Sequence, residues 1–363
     1  MKKNIYLYIL LFFVLSYSAY SQGCVAIRSG GMACSVDHPT TDANGKGWQL
    51  NASYRYFKSF RHFKGRTEQL ERLEKNTEVI NWSHSLDLSI ARQFNHRWSA
   101  SIGLPLLKND RSSLYEHGLT ERHTSSSGGI GDLRIMANRW MLDPAKSKKI
   151  NFQLGLGIKL PTGNYRAKDE FQNVGPEGKP EERFVDQSIQ LGDGGVGGLL
   201  TVDAYFNLSR QFSLYGNLFY LSNPRNTNGT RTYLETLSAK YADDRRYMSV
   251  PDQYMTRIGA NYSPNFIHGM SVGAGFRIEG LPSSDLIGKS EGWRRPGYIF
   301  SLEPGVSYKI RKVNFYASVP VALQRNRVQS VQDKKETEKV GHKVVGDAAF
   351  ADYTINFGAI FNF

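Results

Sequence analysis

Apolar and polar residues alternate along much of this chain with a period of two. In the segment INFQLGLGIKL, Ile150, Phe152, Leu154, Leu156, Ile158 and Leu160 share one parity, and Asn151, Gln153, Gly155, Gly157 and Lys159 the other. Successive side chains of an extended chain point to opposite sides, so this segment predicts a strand with one oily and one polar face. Trp48, Leu50, Ala52, Tyr54 and Tyr56 alternate in the same way with Gln49, Asn51, Ser53 and Arg55. Trp82, Leu86, Leu88 and Ile90 do so with Ser83, Ser85, Asp87 and Ser89, and Trp98, Ala100, Ile102 and Leu104 follow the turn at Asn95 to Arg97. Further strands beginning near Asp132, Val196, Phe212, Tyr254, Met270, Tyr298, Val313 and Ala351 bring the total to twelve.

The connections alternate in length. Short ones fall at 95–97, 143–149, 209–211, 263–269 and 310–312, and long polar ones at 61–78, 107–128, 161–195, 222–251, 281–297 and 324–348. An open sheet edge in hydrocarbon leaves backbone groups unpaired at several kcal/mol each, so such strands must close on themselves. The reading is an all-β fold: a transmembrane antiparallel up-and-down β-barrel of about twelve strands, with short periplasmic turns and long extracellular loops. A soluble sandwich would have no use for the Tyr and Trp that recur near strand ends, where a barrel sets its interfacial girdles.

Both ends of the chain fit export to the outer membrane of a Gram-negative bacterium. Lys2 and Lys3 precede an apolar run from Ile5 to Leu15, and Ala19, Tyr20 and Ser21 form a small-residue cleavage site. Residues 1–21 read as a signal peptide, 22–46 as an N-terminal periplasmic segment or lumen plug, and 47–363 as the barrel. At the other end Tyr353, Phe357, Phe361 and Phe363 share the apolar parity and the chain stops on the phenylalanine. That pattern resembles the signal read by the barrel-assembly machinery. Cys24 and Cys34 are the only cysteines. They either close a small disulfide loop in an oxidising periplasm, or Cys24 is lipidated.

Composition adds two points. A mean hydropathy of -0.44 fits a membrane barrel as well as a soluble protein, because every second strand residue faces a wet lumen. The formal charge is +13, and removal of Lys2 and Lys3 with the signal peptide leaves +11. No nucleic-acid motif accompanies the excess, so outer-membrane lipid and lipopolysaccharide are the expected anionic partners.

Candidate functional residues follow from parity. The polar face places Arg55, Asp87, Asp132, Arg134, Lys159, Asp203, Arg257, Arg277, Glu279, Glu303 and Asp352 on the lumen, with Asn51, Gln153, Asn217, Asn261 and Asn356 among them. Such mixed charges either set the field of a water-filled passage or fill a closed interior with ion pairs. Tyr205, Tyr215, Phe219, Met255 and Tyr316 share this parity and could form a greasy patch for an apolar solute, or pack under a plug. No cofactor, metal site or catalytic residue is expected. His84 and Ser85 are adjacent and so face opposite sides, the remaining histidines form no pair at metal-ligand spacing, and Asp110, Asp169, Asp186, Asp193 and Asp285 are scattered. GDGGVGG lacks the GK[ST] ending of a phosphate loop. EQLERLEK in the first long loop could form a helical turn or two, and QDKKETEK in the last reads as a solvated charge run.

Three glycine motifs complete the picture: GIGDLRI (129–135), GLGIKLPTG (155–163) and LGDGGVGG (191–198). In this order they resemble the outer-membrane barrel family named for the meta-cleavage pathway of phenol degradation, chiefly over residues 125–225. The resemblance implies a transport barrel with a hydrophobic or aromatic cargo, and carries over no binding residues. The expected function is therefore an outer-membrane channel that passes small hydrophobic or aromatic molecules by passive diffusion. The alternative is a structural or adhesive surface barrel with a blocked lumen.

Overall fold

The computed structural model describes residues 45–232 and 243–363. The signal peptide, Cys24, Cys34 and most of the N-terminal segment lie outside the described residues. Within them, twelve antiparallel strands pair in chain order: β1 (Gly47–Lys64), β2 (Ile80–Gln93), β3 (Trp98–Ser113), β4 (His123–Ile130 and Leu133–Trp140), β5 (Ile150–Leu160) and β6 (Gly197–Asn207), followed by β7 (Phe212–Ser222), β8 (Gln253–Tyr262), β9 (Met270–Leu281), β10 (Gly297–Ile310), β11 (Val313–Ser318 and Val321–Arg327) and β12 (Ala348–Asn362). The sheet closes where β1 meets β12, from Gln49↔Asn362 to Phe63↔Ala348. Trp48 and Phe363 exchange both backbone hydrogen bonds at that seam, 2.7 and 2.9 Å long.

Parity behaves as a barrel requires. Leu86, Leu88, Ile90, Leu156, Ile158 and Phe276 point outward and are exposed, whereas Asn51, Arg55, Ser85 and Lys159 point inward and are buried. An apolar exterior around a polar interior is stable only with hydrocarbon outside, so the strands cross the membrane. Among the described residues no helix is long and apolar enough to do so.

Two strands are interrupted, and each break has a local cause. β4 breaks at Gly131 and Asp132, where the pairing with β3 slips by one residue; a Cβ on Gly131 would lie 2.7 Å from the Pro105 ring. β11 breaks at Val319 and Pro320, since proline has no N–H to give the ladder. β3 and β4 also run further than alternation suggests. Ser112, Ser113 and His123 to Gly129 are paired, but this stretch stands above the apolar belt, where both faces are polar and the period-two signal disappears.

Close packing inside the wall depends on small residues. Tyr215 lies flat across β8 and β9, and a Cβ on Gly275 would meet its hydroxyl at 2.5 Å and the Ile258 carbonyl at 2.6 Å. Tyr316 lies over Gly358 in the same manner and donates a 3.1 Å hydrogen bond to Asn51 Oδ1.

The long loops fold over one end of the barrel. They carry two short hairpins (Lys168–Phe171 with Glu181–Phe184, and Thr227–Arg231 with Tyr247–Ser249) and two helices, α1 (Glu71–Glu74) and α2 (Val331–Val340). The QDKKETEK run is α2, and it is not simply solvated. Ser330 and Asp333 form a reciprocal capping box, and Asp333 and Glu336 are buried against Arg245.

Candidate functional site

The lumen holds a cavity of about 350 Å³ that reaches from the short-turn ends of the strands to their middle. Gln49, Gln93, Ser99 and Trp140 line its lower end, and Arg55, Arg134 and Arg257 its upper part. Five of the charged residues singled out by parity border it: Arg55, Asp87, Arg134, Asp203 and Arg257. Here Asn217 donates to Asp203 at 2.6 Å, Arg55 to Asn356 at 3.1 Å, and Ser85 to Asp87 at 3.2 Å.

One side of the cavity is apolar. Leu199, Phe219 and Met255 line it and belong to a buried cluster with Leu221 and Leu281, against which Met136 packs. Of the five inward residues considered for a greasy patch, Phe219 and Met255 border the cavity and the three tyrosines pack elsewhere. Tyr205 donates to the Ser147 carbonyl and meets Trp140 edge-on, and Tyr215 and Tyr316 lie against glycines in the wall. Leucines at inward positions escape a reading that equates inward with polar.

Three more of the charged residues form a fully buried knot on β9 and β10. Arg277 contacts Glu279 at 2.6 Å and Glu303 at 3.7 Å; Glu303 also faces Arg257 at 3.5 Å and accepts a 2.9 Å bond from Ser318. A knot of this kind fixes geometry rather than adding much net stability, because desolvation offsets most of the attraction. Asp352 is elsewhere, near the loop end of the wall, where it pairs with Arg61 at 2.8 Å and with Arg325.

Asp132 and Lys159 meet at the mouth, and the three glycine motifs explain why. GIGDLRI supplies Asp132, GLGIKLPTG supplies Lys159, and LGDGGVGG supplies Asp193. Lys159 is buried, paired to Asp193 and 3.6 Å from Asp132. Asp132 accepts from the backbone N–H of Gly163 at 3.0 Å and of Asp193 at 3.2 Å, so it clasps both ends of the β5–β6 loop. A Cβ on Gly192 would lie 2.4 Å from Asp132 Oδ1, which accounts for a glycine there.

Beyond this clasp the β5–β6 loop dips into the mouth and caps it. Ile189 is buried, and its carbonyl accepts from Ser127 and from Asn109 on β3. Arg111 of β3 contacts Glu116 at 2.6 Å and Asp186 at 3.6 Å, and Asp186 also pairs with Arg295 from the β9–β10 loop. Burial would raise the Asp186 carboxyl, but the two guanidiniums overrule it and hold it well below the usual carboxylate range. His117 is buried against Phe171, with ring centroids 5.1 Å apart, and its Nδ1 accepts from the Gln172 N–H at 3.0 Å. Burial and the neighbouring His123 push its pKa down to about 4. Over the other side Arg245–Asp333 at 2.7 Å joins two loops, and Arg294–Asp285 at 2.6 Å and Arg327–Asp333 at 3.0 Å each brace a single connection from within. Asp186–Arg295 and Arg245–Asp333 join positions 109 and 88 residues apart, and no periodicity in the sequence announces them.

The remaining assigned positions are on the exterior. Tyr353, Phe357, Phe361 and Phe363 are exposed on the outer face of β12 and at its end. His84 faces outward, its Nδ1 2.6 Å from the Tyr54 hydroxyl, while Ser85 is buried on the inside.

No protein-family model matches the chain, and no curated protein matches it by sequence. Solved structures do. The COG4313 outer membrane channel from Pseudomonas putida F1 superposes with a TM-score of 0.59 at 12% identity, over 93% of this chain and 100% of that one. Looser likenesses are the P. putida toluene transporter TodX (TM-score 0.41, 8% identity, 95% and 99% covered) and the beta domain of the Bordetella autotransporter BrkA (0.44, 12%, 88% and 100%). The fold is that of bacterial outer-membrane barrels.

Proposed function

We propose that this barrel is an outer-membrane channel through which small molecules with an apolar or aromatic body diffuse passively. The observation that carries the reading is the two-sided lumen cavity, in which Leu199, Phe219 and Met255 stand opposite Arg55 and Asp87. Binding sites of this kind give an apolar body somewhere to lie and a few polar groups to orient it. Two further points support it: the fold is shared with a protein described as a channel, and the three glycine motifs resemble those of a family associated with aromatic degradation. The charged lumen residues Arg55, Asp87, Arg134, Asp203 and Arg257 would set which solutes enter.

The test is flux through liposomes holding the refolded chain, with phenol, benzoate and arabinose as probes. Faster entry of the aromatics than of the sugar, slowed by Met255→Trp, is the expected result. Equal entry of all three would indicate a general pore. No entry of any would favour the blocked, structural barrel, a reading that the buried ion pairs over the mouth support.

A further inference from the structure

The chain is strongly basic, yet its long loops carry both signs and pair them: Arg61 with Glu68, Lys168 with Glu182, Arg183 with Glu181, Arg294 with Asp285. The short-turn end is different. Its five turns expose Lys146, Lys148, Lys149, Arg210, Arg311 and Lys312, and their one carboxylate, Asp143, accepts from the Ala145 N–H within its own turn. Among the described residues none of these six cations is in an ion pair. Arg97, a seventh, donates to the Met141 carbonyl.

Immediately above the turns, outward-facing aromatics ring the barrel. Trp48, Trp98, Phe212, Tyr308 and Phe363 are all exposed there. Two arginines on the same outer face sit directly across the strands from the tryptophans: Arg92 opposite Trp48 and Arg139 opposite Trp98, each guanidinium about 5 Å from the ring centroid (5.0 and 5.2 Å). Lys149 lies 5.9 Å from the ring of Phe206. Aromatics mark the level of the lipid headgroups. Guanidiniums on the wall at that level face neither the lumen nor bulk periplasm, and only a headgroup can reach them.

We propose that this rim is a binding surface for anionic phospholipid headgroups of the leaflet around the short-turn end, which is the periplasmic leaflet. The exposed turn cations attract the negative surface. Arg92 and Arg139 then contact individual phosphates, guanidinium being suited to paired hydrogen bonds with phosphate oxygens. Continuity with the lipid-facing belt favours a lipid over an acidic periplasmic protein, which would reach the turns but not the outer wall.

Native mass spectrometry of the refolded full chain in detergent tests this, with equimolar phosphatidylglycerol and phosphatidylethanolamine of identical acyl chains. Retained phosphatidylglycerol should exceed phosphatidylethanolamine by roughly tenfold at low salt and lose that lead as ionic strength rises. Two variants should reduce the preference to about twofold or less. One replaces the six turn cations with alanine; the other combines Arg92→Gln with Arg139→Gln. Heat-modifiability gels verify that each variant is folded. The control variant, with alanine at Lys75, Lys334 and Lys343 on the long loops, should keep the full preference. Equal retention of both lipids by the unaltered chain would overturn the proposal. So would loss of the preference in the loop variant, which would move the lipid site to the opposite leaflet.

Discussion

Asp186 is the most informative residue to alter in the cap. Its carboxylate is buried between Arg111 and Arg295, on a loop whose other buried side chains, among them Val185, Ile189 and Leu191, carry no charge. Asp186→Asn keeps the shape and the bond from the Ser188 N–H, which is 2.9 Å long, and removes only the charge. Removing one partner of a buried ion pair costs about 3–5 kcal/mol. Arg111 retains Glu116 at 2.6 Å, so the lower figure applies. About 3 kcal/mol is roughly a hundredfold in the equilibrium between seated and released loop. The lysine clasp and the barrel wall are untouched, so the heat-modifiability shift should be unchanged. Planar-bilayer recordings of the folded variant should then show a larger open fraction than the parent, and a protease should cut between 164 and 190 sooner. An unchanged open fraction together with unchanged proteolysis would refute the idea that this loop is the closure.

Other consequences can be checked on the same preparations. Between pH 6.5 and about 4 an unfolded loop binds a proton at His117 and the seated cap does not, so acidification through this window weakens the cap by up to ~3 kcal/mol. Protease resistance of the loops should therefore fall between pH 7 and pH 4.5, and His117→Gln should flatten the profile. Asp186 works in the same direction at lower pH: its contribution is fully present above the ordinary carboxylate range and is lost progressively as pH falls through and below it. Lys159→Met leaves Asp132 and Asp193 buried together; it should loosen both ends of the β5–β6 loop by about 3 kcal/mol or more, seen as faster hydrogen exchange at Gly163 and Asp193. Gly275→Ala should lower the urea midpoint by the equivalent of about 1–3 kcal/mol, and Tyr215→Phe should restore only part of it because the Ile258 carbonyl still obstructs the new methyl. Arg134→Gln should shift the reversal potential toward cation preference, since it removes a positive charge from the cavity lining.

The wall was readable from sequence because burial there repeats every second residue, and the bilayer enforces it on every strand. Reading Asn151, Gln153 and Lys159 as inward required only parity. The same rule failed where its premise failed. Leu199, Leu221 and Leu281 point inward although apolar, and the upper parts of β3 and β4 have two polar faces and so no period. The cap was illegible for a different reason. Arg111, Asp186 and Arg295 are brought together by the closure of the barrel, and nothing local at any of the three announces the others. In the last loop, the charges of α2 read as solvent-facing because the guanidiniums that bury them come from 88 and 6 residues away, at Arg245 and Arg327.

The wide sequence separation of the cap pairs has a consequence for time. Arg295 and Asp186 are 109 residues apart, and Arg245 and Glu336 are 91. Contacts of this range cannot form until the intervening hairpins have found their register, so they are among the last events of maturation. A freshly closed barrel would pass through an unsealed interval with a wet, open mouth before its loops lock. Pulse-labelling during refolding should then register two separable clocks, the wall acquiring its gel mobility first and the mouth its resistance to protease later.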